Sequence, residues 1–163
     1  MQHRPSFKRL LVPLDGSKLG EASLPYVEEL ATIAQAEVIL LKVVRPQYDV
    51  ALAESYSSHL AQISKEYLAH ASAAANEYLN SIKENLTKRG ITTHAVVDVG
   101  SPAERIISCA REKHADLIVL STHEHPGVGQ RLLGSVTYKL LHYTDKPVFL
   151  VTSSAKSATH TEI

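Results

Sequence analysis

The chain has 163 residues, with 17 lysines and arginines balanced by 17 aspartates and glutamates and a single cysteine, Cys109. That length suits one domain with a sizeable core, and the even charge supplies no bulk field to draw the chain to nucleic acid or an anionic membrane. One cysteine allows no intrachain disulfide, no apolar run approaches a membrane span, and residues 1–9 lack the apolar core of a signal peptide, so a soluble cytoplasmic protein is expected.

After a loose start, Lys8 to Leu14 predicts the first strand, with Pro13 near its end, where a missing ladder donor matters least. Asp15-Gly16-Ser17 is a turn with Ser17 as candidate N-cap, and Leu19, Ala22, Val27, Leu30, Ala31 and Ala34 recur at helical spacing. Pro25 does not fit a straight helix there and predicts a kink or a late start. Glu37 to Val44 is apolar on nearly every residue, the pattern of a strand covered on both faces. A connection from Arg45 to Ser58 is expected to be partly mobile.

A long helix is expected over about His59 to Arg89, with Leu60, Ile63, Tyr67, Leu68, Ala71, Ala75, Tyr78, Leu79, Ile82 and Leu86 as its core stripe and Gly90 as its stop. Ile91 to Val97 predicts the third strand and Asp98-Val99-Gly100 the turn after it. Ser101-Pro102-Ala103-Glu104 carries three helix-start signals: Ser at the N-cap, Pro at the first helical position and Glu at the third. Leu117 to Leu120 is the fourth strand, and the stretch after it is too polar and too punctuated for a regular element. Gly134-Ser135 opens a helix with Val136, Leu140 and Leu141 on its apolar side, and Val148 to Val151 is the fifth strand. Residues 1–152 make a single domain on this count, with residues 153–163 a polar, disordered tail.

Strands alternating with helices imply a parallel sheet covered on both faces, in the order 2-1-3-4-5 or 3-2-1-4-5. Either order has a topological switch beside the first strand, where ligands meet the carboxyl ends. In the second order the bordering loops hold Asp15-Gly16-Ser17 and Ser121 to Gly134. Asp15 is a ligand carboxylate or an Asx-turn former, and Gly134-Ser135 a phosphate-binding helix start or a plain N-cap. Arg131 is a phosphate ligand or a surface arginine. His123-Glu124-His125 is a solvated loop rather than a preformed metal site, and Cys109 a packed residue rather than a reactive thiol.

The opening K-R-L-L-V-P-L-D-G-S, the strand E-V-I-L-L-K-V-V, the turn V-G-S-P-A-E-R-I, the run D-L-I-V-L-S-T-H with L-L-G-S-V after it, and the closing K-P-V-F-L-V resemble the universal stress proteins from about Phe7 to Thr152. The resemblance implies a five-stranded parallel sheet of order 3-2-1-4-5 with helices on both faces, the adenine nucleotide alpha hydrolase-like fold. It also implies a stress-response module that binds ATP or AMP, with Mg²⁺ accompanying ATP, and that turns ATP over slowly if at all. By resemblance Pro13 and Asp15 lie near the ribose, Val43 offers backbone contacts to the adenine, and Val99 and Gly100 lie near the nucleotide. Ser121, His123, Arg131, Gly134 and Ser135 fall on the phosphate side.

The ATP-binding members carry glycine, two residues, glycine, nine residues, then glycine and Ser or Thr; here Gly134-Ser135 keep the end of that pattern, while Ser121 and Glu124 stand where the first two glycines fall. A carboxylate at Glu124 repels polyphosphate unless a cation intervenes. The alternative function is therefore a dimeric scaffold or sensor that has lost ATP for another ligand or partner. In either case the resemblance implies a homodimer joined through the apolar edge strand Val148, Phe149, Leu150 and Val151. Two enzyme classes of similar architecture fit less well. The turn at residues 13–17 lacks the Gly-rich loop of an ATP-pyrophosphatase, and Asp98 is a candidate phosphoacceptor without the acidic cluster of a receiver domain.

Overall fold

The computed structural model describes residues 6–47, 55, 57–123, 125–127 and 130–153, with residues 123, 125–127, 130–132 and 153 described by their backbone alone. Five strands form one parallel sheet: β1 (Arg9–Pro13), β2 (Glu37–Val44), β3 (Thr93–Val99), β4 (Leu117–His123) and β7 (Val148–Ser153). Their order is β3-β2-β1-β4-β7, which is the expected 3-2-1-4-5. Among the described residues four α-helices connect them: α1 (Leu24–Ala34), α2 (Ser58–Lys88), α3 (Pro102–Glu112) and α4 (Ser135–Tyr143).

Alternation along the strands builds two cores. Leu10 and Val12 of β1 join Val38 and Leu40 of β2 against α1 and the second half of α2, through Val27, Leu79 and Leu86. Leu11 points the other way and joins Ile39, Leu41, Ile118 and Leu120 against Ile106 and Ala110 of α3 and Leu140 of α4. Cys109 belongs to this second core, and burial pushes its thiol pKa up, as the packed reading requires.

Several boundaries move for identifiable reasons. The first helix starts late: residues Gly20–Ser23 form a single 3-10 turn, and α1 begins at Leu24 with Pro25 in its first turn, where its missing N–H costs nothing. Ser17 is not the N-cap of α1; its hydroxyl accepts from Gly20 N–H at 3.0 Å and organises the 3-10 turn instead. β3 begins at Thr93 and runs on through Asp98 and Val99, because β2 supplies pairing partners as far as Val44; only Gly100, at φ +144°, remains as the turn. Ser101 is the N-cap of α3, but its side chain makes no capping hydrogen bond.

The stripe on α2 is narrower than its periodicity suggests. Leu79, Ile82 and Leu86 are buried, whereas Ile63 is 44% exposed and Ala61 and Ser64 face inward in its place. On α4, Leu140 is fully buried and Leu141 is 46% exposed. β4 continues to His123, and the expected irregular loop contains an antiparallel hairpin, β5 (His125–Gly127) and β6 (Gln130–Leu132). A polar segment can still satisfy its backbone by pairing with itself, which composition does not reveal. Ser153 closes β7, two residues past the expected end, and the remaining tail lies outside the described residues, as does most of the connection after Gln47. Among the described residues no helix is long and apolar enough to cross a membrane.

At the amino end of the sheet Arg9 donates from Nε to Glu37, and His94 Nε2 lies 3.4 Å from the same carboxylate. The hydrogen bond from Arg9 chiefly holds the Glu37 carboxyl below its ordinary value, with burial opposing it and His94 assisting. A depressed carboxyl contributes stability that is present above its unfolded pKa and lost as pH falls through its folded one. Glu37→Gln is therefore expected to destabilise the chain at neutral pH, with the difference shrinking as pH drops below the usual glutamate range in urea titrations. In the same assay Leu79→Ala should cost about 2–5 kcal/mol, and Ile63→Ala less than about 1 kcal/mol.

Candidate functional site

The chain leaves β1 towards α1 on one face of the sheet and leaves β4 towards α4 on the other. Two neighbouring strand ends thus diverge, and a cleft of about 380 Å³ opens between them. Its walls are mainly apolar: Pro13 from β1, Leu41 and Val43 from β2, Leu120 from β4, Ile106 from α3 and Val136 from α4. Polar groups are few and sit apart, namely Asp15, Ser121, Thr137 and Arg45. An apolar slot with a few placed polar groups fits a flat ring system carrying a hydroxylated substituent.

The loop after β1 forms one wall and is tied from several elements. Asp15 Oδ1 accepts from the Ser17 N–H at 2.8 Å and from its hydroxyl at 2.6 Å, an Asx turn. Lys42, the lone basic residue of β2, donates from Nζ to the Asp15 carbonyl at 2.6 Å and lies 5.2 Å over the Tyr78 ring. Tyr78 in turn donates to Glu21 at 3.0 Å; burial, with that carboxylate partner, pushes its phenol pKa up. From β4, the Ser121 hydroxyl lies 2.5 Å from the Leu19 carbonyl and 3.0 Å from that of Gly20.

Two glycines are demanded by this packing. Gly16 has φ +88°, and a Cβ there would sit 2.9 Å from Lys42 Nζ; a Cβ on Gly20 would lie 2.6 Å from Asp15 Oδ1. Burial works to raise the Asp15 pKa, but the two Ser17 hydrogen bonds, aided by the Lys42 charge, outweigh it and leave the carboxyl below its ordinary value. It is held as an acceptor-only carboxylate at the rim of the cleft.

Of the expected site residues, Pro13, Asp15, Val43 and Ser121 line this cleft, and Gly100 and Ser135 line an adjoining recess. Gly134 is the N-cap of α4 with φ −56°, and a Cβ there would meet Thr122 Oγ1 at an ordinary 3.8 Å, so packing within the chain does not itself require glycine. Val99 is 41% exposed and lines neither cavity. His123 ends β4 and Arg131 lies in β6, but their side chains, like the whole of Glu124, fall outside the described residues.

The Ser121 hydroxyl donates to the backbone carbonyls of Leu19 and Gly20 on the opposite loop. Asp98 lines neither cavity; Arg105 Nε holds its Oδ2 at 2.7 Å and the Val99 N–H its Oδ1 at 2.7 Å, a structural pairing rather than a phosphoacceptor cluster. Sequence reasoning passed over Gly20, Lys42, Arg45 and Thr137. A basic residue inside an otherwise apolar strand was the available signal for Lys42; the others carry none without the fold.

Comparison with known proteins gives one consistent answer. The profile of the Universal stress protein family matches residues 6–152. Universal stress protein MJ0577 of Methanocaldococcus jannaschii is 28% identical over 89% of this chain and 94% of its own length. A universal stress protein of Methanothermobacter thermautotrophicus is 30% identical over 89% of this chain and 95% of its own. The solved structure of MJ0577 superposes with a TM-score of 0.75 at 27% identity, covering 93% of this chain and 99% of that one. A universal stress protein solved in complex with cAMP shares the fold, with a TM-score of 0.58 at 19% identity over 91% of this chain and 99% of that one. The chain belongs to the universal stress protein family.

Proposed function

We propose that the chain binds an adenine nucleotide in the cleft at the carboxyl ends of β1 and β4, and acts by binding rather than turnover. The observation that carries this is the mainly apolar slot with the Asp15 carboxylate fixed at its rim. A base enters between the apolar strand ends and the helix starts, with Val43 offering its backbone to the adenine edge. Asp15, ionised at neutral pH and fixed by Ser17, accepts from ribose hydroxyls with Pro13 beside it. The fold shared with a universal stress protein solved with cAMP supports a nucleotide of this class. Among the described residues no pair of positioned acid and base groups lines the cleft.

A second reading, a scaffold that no longer takes ATP, draws on one specific observation. The Ser121 hydroxyl closes onto Leu19 and Gly20 at the place where close backbone approach to a phosphate would need open glycine. We further propose that the chain is a homodimer through β7. Among the described residues that strand pairs only with β4, and Phe149 on it is 37% exposed beside Tyr26, with ring centroids 6.0 Å apart.

Titration calorimetry separates the readings. Adenosine and AMP are expected to bind the wild type, and Asp15→Ala to weaken both by about tenfold, the worth of a charge-assisted hydrogen bond. A wild type that takes up neither adenosine, AMP nor MgATP would leave the scaffold reading standing. Ser121→Gly/Glu124→Gly should gain MgATP affinity relative to wild type. By light scattering the wild type is expected at twice the monomer mass and Phe149→Asp at the monomer mass; a wild-type monomer at micromolar concentration would remove the dimer.

A further inference from the structure

Past Arg45, Pro102 and Val136, which line both spaces, the cleft adjoins a recess of about 410 Å³. The recess is framed by the start of α3 (Gly100 to Ala103), the start of α4 (Ser135 and Val136) and two cationic side chains, Arg45 and Lys139. Among the described residues no carboxylate lines it.

Arg45 is the exception in charge pairing among the described arginines, and Lys139, like several other surface lysines, is also unpaired. Arg9, Arg89, Arg105 and Arg111 each hold a carboxylate, whereas among the described residues neither Arg45 nor Lys139 makes an ion pair or a side-chain hydrogen bond. They come from different elements, the end of β2 and the second turn of α4, yet line one concave space. The surrounding backbone adds to the same sign. Neither N-cap residue, Ser101 or Gly134, gives its helix a side-chain hydrogen bond, so the first turns that line the recess keep N–H groups without a side-chain cap. Neither helix end would hold an anion alone. A cavity with two cations and no opposing carboxylate is complementary to one.

We propose that this recess is the anion subsite of the cleft. The phosphate groups of a bound nucleotide lie between Arg45 and Lys139, rather than over the loop from Ser121 to Gly134. The ligand's identity rests on the nucleotide reading above; the recess's preference for anions does not. Arg45, which lines both spaces, meets the phosphate nearest the ribose, and Lys139 meets the next one. Such a route takes the phosphates past α3 and avoids dependence on the two positions where Ser121 and Glu124 replace glycine. It makes Arg45 and Lys139 the residues that distinguish a nucleotide from its nucleoside.

Two measurements on the full chain test this. In the first, inorganic pyrophosphate is titrated while backbone amides are followed by NMR; shifts are expected at residues 100, 101, 103 and 135–139, and are expected to vanish in Arg45→Gln/Lys139→Gln. In the second, calorimetry compares ADP with adenosine. The wild type should favour ADP by about tenfold or more, with that preference falling as salt rises, while the double variant should lose the preference and bind the two alike. Lys88→Gln, which removes a cation remote from the recess, should leave the preference intact. Pyrophosphate shifts confined to residues 121–133, or a double variant that keeps the ADP preference, would overturn the proposal. If the wild type binds neither adenosine nor ADP while pyrophosphate still moves the recess amides in an Arg45- and Lys139-dependent way, the nucleotide reading falls and the anion subsite stands. Because both side chains are exposed, the variants should fold, and each single variant is expected to lose part of the effect.

Discussion

β1 carries the constraint on which the molecule turns. It is the only strand with β2 on one side and β4 on the other at the point where the chain's direction of winding reverses, and its residues feed both cores in alternation. A one-residue slip would send Leu10 and Val12 to the face of α3 and α4, and Leu11 to the face of α1 and α2. The register at Leu11, paired with Ile39 and Ile118, therefore sets where Pro13 and Asp15 emerge relative to the ends of β2 and β4. The cleft is a geometric product of that register; the loops then furnish it.

The furnishing is unusual in how firmly one loop is held. Residues 15–21 are tied by Lys42 from β2, by Tyr78 from α2 and by Ser121 from β4, three elements that share no sequence neighbourhood. Each tie is an ordinary hydrogen bond of about 1 kcal/mol in net worth, but together they fix the loop's position with little freedom left to lose on binding. The loop on the other side of the cleft is built differently: a short hairpin that closes on itself through backbone pairing.

Much of the fold was legible because it rests on periodicity. Continuous apolar runs marked β2 and β4, and Pro25 announced a kink or a late start, of which the late start is what formed. The 3-2-1-4-5 order was not fixed by pattern, since alternation allows two arrangements; the family resemblance selected it. The site was legible where it rests on local turn chemistry, at Asp15-Gly16-Ser17, and illegible where it rests on distance in space. Nothing near Ser121 in the chain says that its hydroxyl will face Leu19, about a hundred residues away by the separation of 102. Ile63 was misjudged because a helical stripe records which side is apolar and not how far the sheet extends beneath it.

Position 121 carries a lasting consequence. A side chain that tethers Leu19 and Gly20 cannot also be the bare backbone that lets a phosphate come close, so the two uses exclude each other at one residue. Restoring glycine there releases the opposite loop before any new contact compensates. Glycine there would leave Lys42 and Tyr78 as the remaining ties on residues 15–21, so closer approach at residue 121 comes only with a looser wall across the cleft.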